Sequence, residues 1–106
     1  MAVEKGDYVE VEYVGKLKDG TVFDASIEEV AKDSGVYSSQ RNYEPLGFTV
    51  GKGELIEGFE EGVKGMNVGE KKEVEIPPEK AYGESGEHPL AGKTLIFKIE
   101  VKKIGK

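Results

Sequence analysis

Apolar and polar residues alternate from Asp7 onward, with Val9, Val11 and Tyr13 on one side and Tyr8, Glu10 and Glu12 on the other. A period of two marks a half-buried strand. Lys18-Asp19-Gly20 then reads as a hairpin turn in which glycine supplies a positive φ, and Thr21-Val22-Phe23-Asp24 as the returning arm. Ile27 to Lys32 predicts a short helix capped by the Ser26 hydroxyl. Asp33 to Tyr43 is polar, carries Gly35, Ser38, Ser39 and Asn42, and reads as an exposed excursion. Leu46 to Val50 resumes strand character until Gly51-Lys52-Gly53 breaks it.

The period changes at Glu54. Leu55, Ile56, Phe59 and Val63 recur at helical spacing, which predicts a helix from Glu54 to about Lys64 with one apolar face. Gly58 and Gly62 lie within it; each costs about 1 kcal/mol against alanine, a cost that points to close packing against a sheet. Gly65 terminates it. Glu70 to Ile76 alternates again, with Val74 and Ile76 on one face, and Pro77-Pro78 ends that strand because neither proline can donate to a ladder. Ala81-Tyr82-Gly83 opens a Gly/Ser/Pro loop to Gly92. Leu95, Phe97, Ile99 and Val101 alternate with Ile96, Lys98, Glu100 and Lys102 in the clearest strand of all. The pattern predicts an α+β fold, an antiparallel sheet wrapped over one short helix.

Composition narrows the choice of function. With 106 residues the chain suits one domain, 1–106, with one core and one pocket. Charged residues make up 34% and the net charge is −6, against a nucleic-acid partner and against an anionic membrane surface. No cysteine is present, which excludes disulfides, thiolate metal sites and a cysteine nucleophile and suits a reducing compartment. Met1 to Gly6 is charged and has no apolar segment of the signal-peptide kind, and no apolar run reaches membrane-spanning length. These features predict a soluble, cytoplasmic protein, and a charged surface without an apolar stripe favours a monomer.

No nucleophile–base pair and no metal-ligand spacing emerges. The single histidine, His88, sits in a Gly/Pro loop, where a solvated surface group is the ordinary reading. The aromatic placement is more informative. Tyr13, Phe23, Phe48, Phe59, Tyr82 and Phe97 each sit on or beside an element predicted to face the helix. Taken singly, each is a core residue. Asp24, however, follows Phe23 on a strand whose inward face is apolar, and a carboxylate there needs a partner; the Tyr13 hydroxyl on the neighbouring arm is a candidate.

At this point the chain resembles the FK506-binding proteins. Val11-Glu-Tyr13-x-Gly15 with Asp19-Gly20-x-x-Phe23-Asp24-x-Ser26 is similar to their opening hairpin. Phe48-x-x-Gly51 with Leu55-Ile56-x-Gly58-Phe59-Glu60-x-Gly62-Val63-x-Gly65-Met66-x-Val68-Gly69-Glu70 resembles their central strand and helix. Ile76-Pro77-Pro78-x-x-Ala81-Tyr82-Gly83 resembles the pocket rim, and Leu95-x-Phe97-x-Ile99-x-Val101 the closing strand. The resemblance covers nearly the whole chain in order. It is nearest to the SlyD-type and archaeal branch, with a short flap at 83–95 where those relatives insert a chaperone domain.

The resemblance implies a twisted antiparallel sheet curled round a short helix, and a peptidyl-prolyl cis/trans isomerase working without cofactor or metal. It implies that Tyr13, Phe23, Leu46, Phe48 and Phe97 wall the pocket, with Phe59 as its floor where many relatives carry tryptophan. Leu55 and Ile56 flank the entrance, and the Ile56 N–H and Tyr82 hydroxyl donate to ligand carbonyls. Asp24 faces the amide being twisted, and His88 and Leu90 reach the substrate from the flap. The expected partners are proline-containing peptides, unfolded proteins and macrolides such as rapamycin. Three other readings stand beside it: a binding module for proline segments or macrolides without turnover, an acid–base enzyme using Asp24 and Tyr13, and a holdase using flap residues such as Leu90.

Overall fold

The alternation from Tyr8 becomes the backbone of the molecule in a computed structural model that describes residues 2–105. Met1, at the head of the charged N-terminal stretch, and Lys106 lie outside the described residues. Strand β1 (Tyr8–Leu17) buries Val9, Val11 and Tyr13. Strand β2 (Val22–Ala25) returns antiparallel to it through the Lys18-Asp19-Gly20 turn, closed by the Gly20 N–H on the Leu17 carbonyl. After helix α1 (Glu28–Asp33) and a long loop, β3 (Leu46–Thr49) pairs with the other end of the same β1 edge. Strand β5 (Leu95–Ile104) occupies the opposite edge of β1 along its whole length, and β4 (Lys71–Ile76) pairs with β5. All pairings are antiparallel, in the order β2-β1-β5-β4 with β3 also on β1.

Helix α2 (Glu57–Val63) lies in the hollow of this sheet and buries Phe59 and Val63. Its two glycines do what their cost suggests. A Cβ on Gly58 would collide with the Ile76 side chain, and one on Gly62 would come within 2.9 Å of Val74. The helix therefore presses its backbone onto β4, and Val9, Val11, Phe48, Ile76, Leu95, Phe97, Ile99 and Val101 close the core around it.

Two sequence expectations need correction. The central helix starts at Glu57, not Glu54, because Glu60 reaches back from the first turn and accepts the Leu55 N–H at 2.8 Å and the Gly51 N–H at 2.7 Å. Those amides are satisfied in an extended loop, so Leu55 and Ile56 precede the helix. Ser26 does not cap α1, whose N-cap is Ile27 without a side-chain bond; its buried hydroxyl accepts the Tyr13 N–H at 2.9 Å. The N-terminal stretch, charged overall, also contributes to the core. Val3 is 2% exposed, donates its N–H to the Met66 carbonyl and accepts from the Gly65 N–H, tying the chain start to the end of α2.

Candidate functional site

Curling the sheet round α2 leaves a cavity of about 380 Å³ at one end of the helix. The strands supply its walls, with Tyr13 from β1, Asp24 from β2, Leu46 from β3 and Phe97 from β5. The loop held by Glu60 supplies Gly53, Glu54, Leu55 and Ile56, α2 supplies Phe59, and the segment after Pro78–Lys80 supplies Tyr82.

Phe59 is 3% exposed and held edge-on by its neighbours. Its ring centroid is 5.0 Å from Phe97, 5.8 Å from Tyr13 and 5.9 Å from Phe48, at interplanar angles of 84°, 89° and 68°. Such T-shaped contacts set a ring's orientation as well as burying it. Phe48 thus stands behind the floor and does not line the cavity, contrary to the expected wall role. Phe23 also stands outside it, packed edge-on against Phe97 at 5.6 Å.

One side of the cavity is polar. The Tyr13 hydroxyl donates to Asp24 Oδ2 at 2.7 Å, joining the two residues that the sequence paired. Asp24 Oδ1 accepts the Ala25 N–H at 2.8 Å and Arg41 Nη1 at 2.6 Å, while Arg41 Nη2 donates to the Tyr13 oxygen at 3.0 Å. Burial, then the Asp24 carboxylate, pushes the Tyr13 hydroxyl up to about 12, with Arg41 opposing. The Asp24 carboxylate raises Arg41 above its ordinary value, so the guanidinium stays charged. The wall itself carries the Tyr13 phenol and the Asp24 carboxylate, and Arg41, outside the lining, bonds to both.

A β-bulge produces this arrangement. Opposite β2, Gly15 pairs with Asp24 and Lys16 with Val22, leaving Phe23 as the extra residue. Strict alternation would send Phe23 and Asp24 to opposite faces. The bulge brings both to the inner face, where Phe23 meets Phe97 and Asp24 meets Tyr13.

The flap residues take supporting positions. His88 stacks on Tyr82 with centroids 3.9 Å apart and planes 5° apart, and its Nδ1 accepts the Leu90 N–H at 3.0 Å. Leu90 packs against the core cluster. Neither is in the cavity lining; His88 meets Tyr82, which is, and Leu90 meets the core. Tyr82 is 38% exposed, and no bond among the described residues engages its hydroxyl or the Ile56 N–H.

Two residues of the site escaped the sequence reading. Arg41 lies in the segment read as an exposed excursion; the signal was present in Asp24, a carboxylate at an apolar wall that one phenol alone does not compensate. Glu60 looked like one more solvated carboxylate, yet it is 5% exposed and holds the 51–55 loop by two amides. Among the described residues no group of three His, Cys, Asp or Glu side chains is placed to hold a metal ion.

The site is thus an aromatic-floored cavity between a sheet and one helix, with two donors at its rim that no described residue engages. A family model described as FKBP-type peptidyl-prolyl cis-trans isomerase matches residues 1–102. The chain is 63% identical over 81 residues to a short-type peptidyl-prolyl cis-trans isomerase of Methanocaldococcus jannaschii, covering 76% of this chain and 51% of that protein. It is 42% identical over 102 residues to FK506-binding protein 2 of Yarrowia lipolytica, covering 94% and 62%. It is 39% identical over 102 residues to a peptidyl-prolyl cis-trans isomerase of Mus musculus, FKBP2, covering 94% and 64%. The chain thus spans between half and two-thirds of the length of these relatives. It belongs to the FKBP-type peptidyl-prolyl cis-trans isomerase family.

Proposed function

We propose that this chain catalyses cis/trans isomerisation of X-Pro bonds in peptides and unfolded proteins, and that the cavity over Phe59 is where it does so. The observation that carries this reading is the pairing of a buried aromatic floor with two donors that no described residue engages, the Ile56 N–H and the Tyr82 hydroxyl, on the rim of one cavity.

Isomerisation must cross a barrier of about 18–20 kcal/mol, because twisting the peptide bond breaks its resonance. A catalyst needs only to bind the twisted amide more tightly than the planar one. The planar amide is the more polar form and water favours it. A prolyl ring seated on Phe59 leaves its amide out of water, which weakens that preference. The Ile56 N–H and Tyr82 hydroxyl hold flanking carbonyls, so the two sides of the bond rotate against fixed points. The Tyr13–Asp24 wall, held by Arg41, presents ordered dipoles that need no reorganisation as the carbonyl turns. No proton changes hands, in keeping with the lack of a nucleophile–base pair in the wall.

The same site suits macrolides of the FK506 and rapamycin type, which present carbonyls around an apolar ring. The cysteine-free composition supports a cytoplasmic setting. The test is the rate of cis/trans exchange in a short X-Pro peptide, with and without rapamycin. Acceleration that the macrolide abolishes supports the reading; macrolide binding without acceleration replaces it with a binding module, and neither effect removes it.

A further inference from the structure

From the end of α1 into the loop before β3, two stacked tyrosines sit between two cations, Lys32 and Arg41, and the run ends at Asp24 of the cavity wall. Tyr37 and Tyr43 stack with centroids 5.6 Å apart and planes 14° apart. Lys32 Nζ lies 4.9 Å from the centre of the Tyr37 ring, and the Arg41 guanidinium carbon 4.9 Å from that of Tyr43. At the outer end Lys32 pairs with Glu28, one turn back on α1, at 2.9 Å. At the inner end Arg41 reaches Asp24 and the Tyr13 hydroxyl. The Ser38 N–H donates to the Tyr43 hydroxyl at 3.0 Å, so the loop closes on the ring that carries Arg41.

An arginine on an exposed loop has many rotamers, and an ion pair at the surface by itself holds it weakly. The Arg41 and Asp24 side chains are 38% and 37% exposed, so their charges alone do not fix the guanidinium. A ring against the guanidinium removes much of that freedom. We infer that Tyr43, backed by Tyr37, is a positioning residue for the isomerisation: it keeps Arg41 on Asp24 and so keeps the polar wall of the cavity neutral and still. The inference rests on the isomerase reading above. With Arg41 displaced, the Asp24 carboxylate turns an uncompensated charge toward the substrate carbonyls, repels their oxygens and draws water into the cavity.

The test is a double-mutant cycle on kcat/KM for an X-Pro peptide, with Tyr43→Ala, Tyr43→Phe, Arg41→Ala and the pair Tyr43→Ala with Arg41→Ala. Tyr43→Ala is expected to lower kcat/KM by about three- to tenfold, the scale of one lost cation–π contact and one lost ring stack. Tyr43→Phe keeps the stack and is expected to stay within about twofold of the parent. In the Arg41→Ala background, Tyr43→Ala should cost nothing more. Exchange of the Arg41 guanidinium protons, followed by NMR, should be slow in the parent and in Tyr43→Phe and fast in Tyr43→Ala. Equal losses in both backgrounds, a Tyr43→Phe as harmful as Tyr43→Ala, or a Tyr43→Ala indistinguishable from the parent each overturn the inference. Should Tyr43→Ala not fold, Tyr37→Ala removes the backing ring and is read in the same way. If the parent shows no isomerase activity, the functional reading fails by itself, and guanidinium exchange alone decides whether Tyr43 positions Arg41.

Discussion

Tyr13 carries two tasks, packing edge-on against Phe59 and donating to Asp24, and its titration separates them. Its hydroxyl is raised to about 12 in the folded protein from a starting value of 10.0. A pKa raised by folding means that the folded state holds the proton more tightly. The associated stability is therefore fully present below pH 10 and is lost as pH rises through 12. Two pH units correspond to at most about 3 kcal/mol. Denaturation midpoints between pH 10 and 12 should fall less steeply for Tyr13→Phe than for the parent; identical slopes would mean that the hydroxyl is not held as described. Glu60 provides a second residue-scale prediction. Glutamine in its place offers one good acceptor where two amides need acceptors, and Glu60→Gln should cost about 1–3 kcal/mol in chemical denaturation. A solvated surface carboxylate would show about 0.5 kcal/mol or less.

At the scale of elements, helix α2 and strand β4 are in contact because two glycines allow it. Gly58→Ala gains helix propensity, about 1 kcal/mol, but drives a methyl into Ile76. Overpacking of this kind costs about 1–3 kcal/mol, so the net change should be a loss, read as a lower Tm. A rise in Tm would show that β4 yields easily. Phe59, on the same helix, meets Tyr13, Phe48 and Phe97 instead. Phe59→Ala should destabilise by about 3–5 kcal/mol and abolish isomerase turnover, since it removes both core and floor. Tyr82→Phe should leave the denaturation midpoint within about 0.5 kcal/mol of the parent, because no described residue bonds its hydroxyl. Its kcat/KM should fall by roughly two- to tenfold, the worth of one hydrogen bond made only with substrate. An unchanged kcat/KM would take Tyr82 out of the donor role.

For the whole molecule, the decisive property is that six separate segments converge on one cavity. A ligand seated there bridges strands, loop and helix, and stabilises the folded state by mass action. Rapamycin should raise Tm, and Phe59→Ala should erase that shift. Isomerisation by a twist without proton transfer predicts a kcat/KM that is flat across neutral pH. A step that disappears in His88→Ala would instead bring the ring stacked on Tyr82 into the rate.

Much of this was legible along the chain. Period-two alternation identified β1 and β5, the glycine spacing in α2 announced close packing, and Tyr13 was matched to Asp24, because each depends on neighbours in sequence or on one hairpin. The bulge that lets the adjacent Phe23 and Asp24 both turn inward was not legible, since it arises from how β2 registers on β1. Nor was the late start of α2, which Glu60 sets by reaching back to amides that a helix would otherwise have enclosed. Arg41 reaches Asp24 across seventeen positions of chain and a loop with no periodicity of its own. Local patterning thus determined which segments became strands and helix and which aromatics faced inward, because burial acts on every residue where it stands. Only the tertiary structure decided which charges meet at the cavity wall, because an ion pair is made by distance in space, and a polar loop records no distance in its sequence.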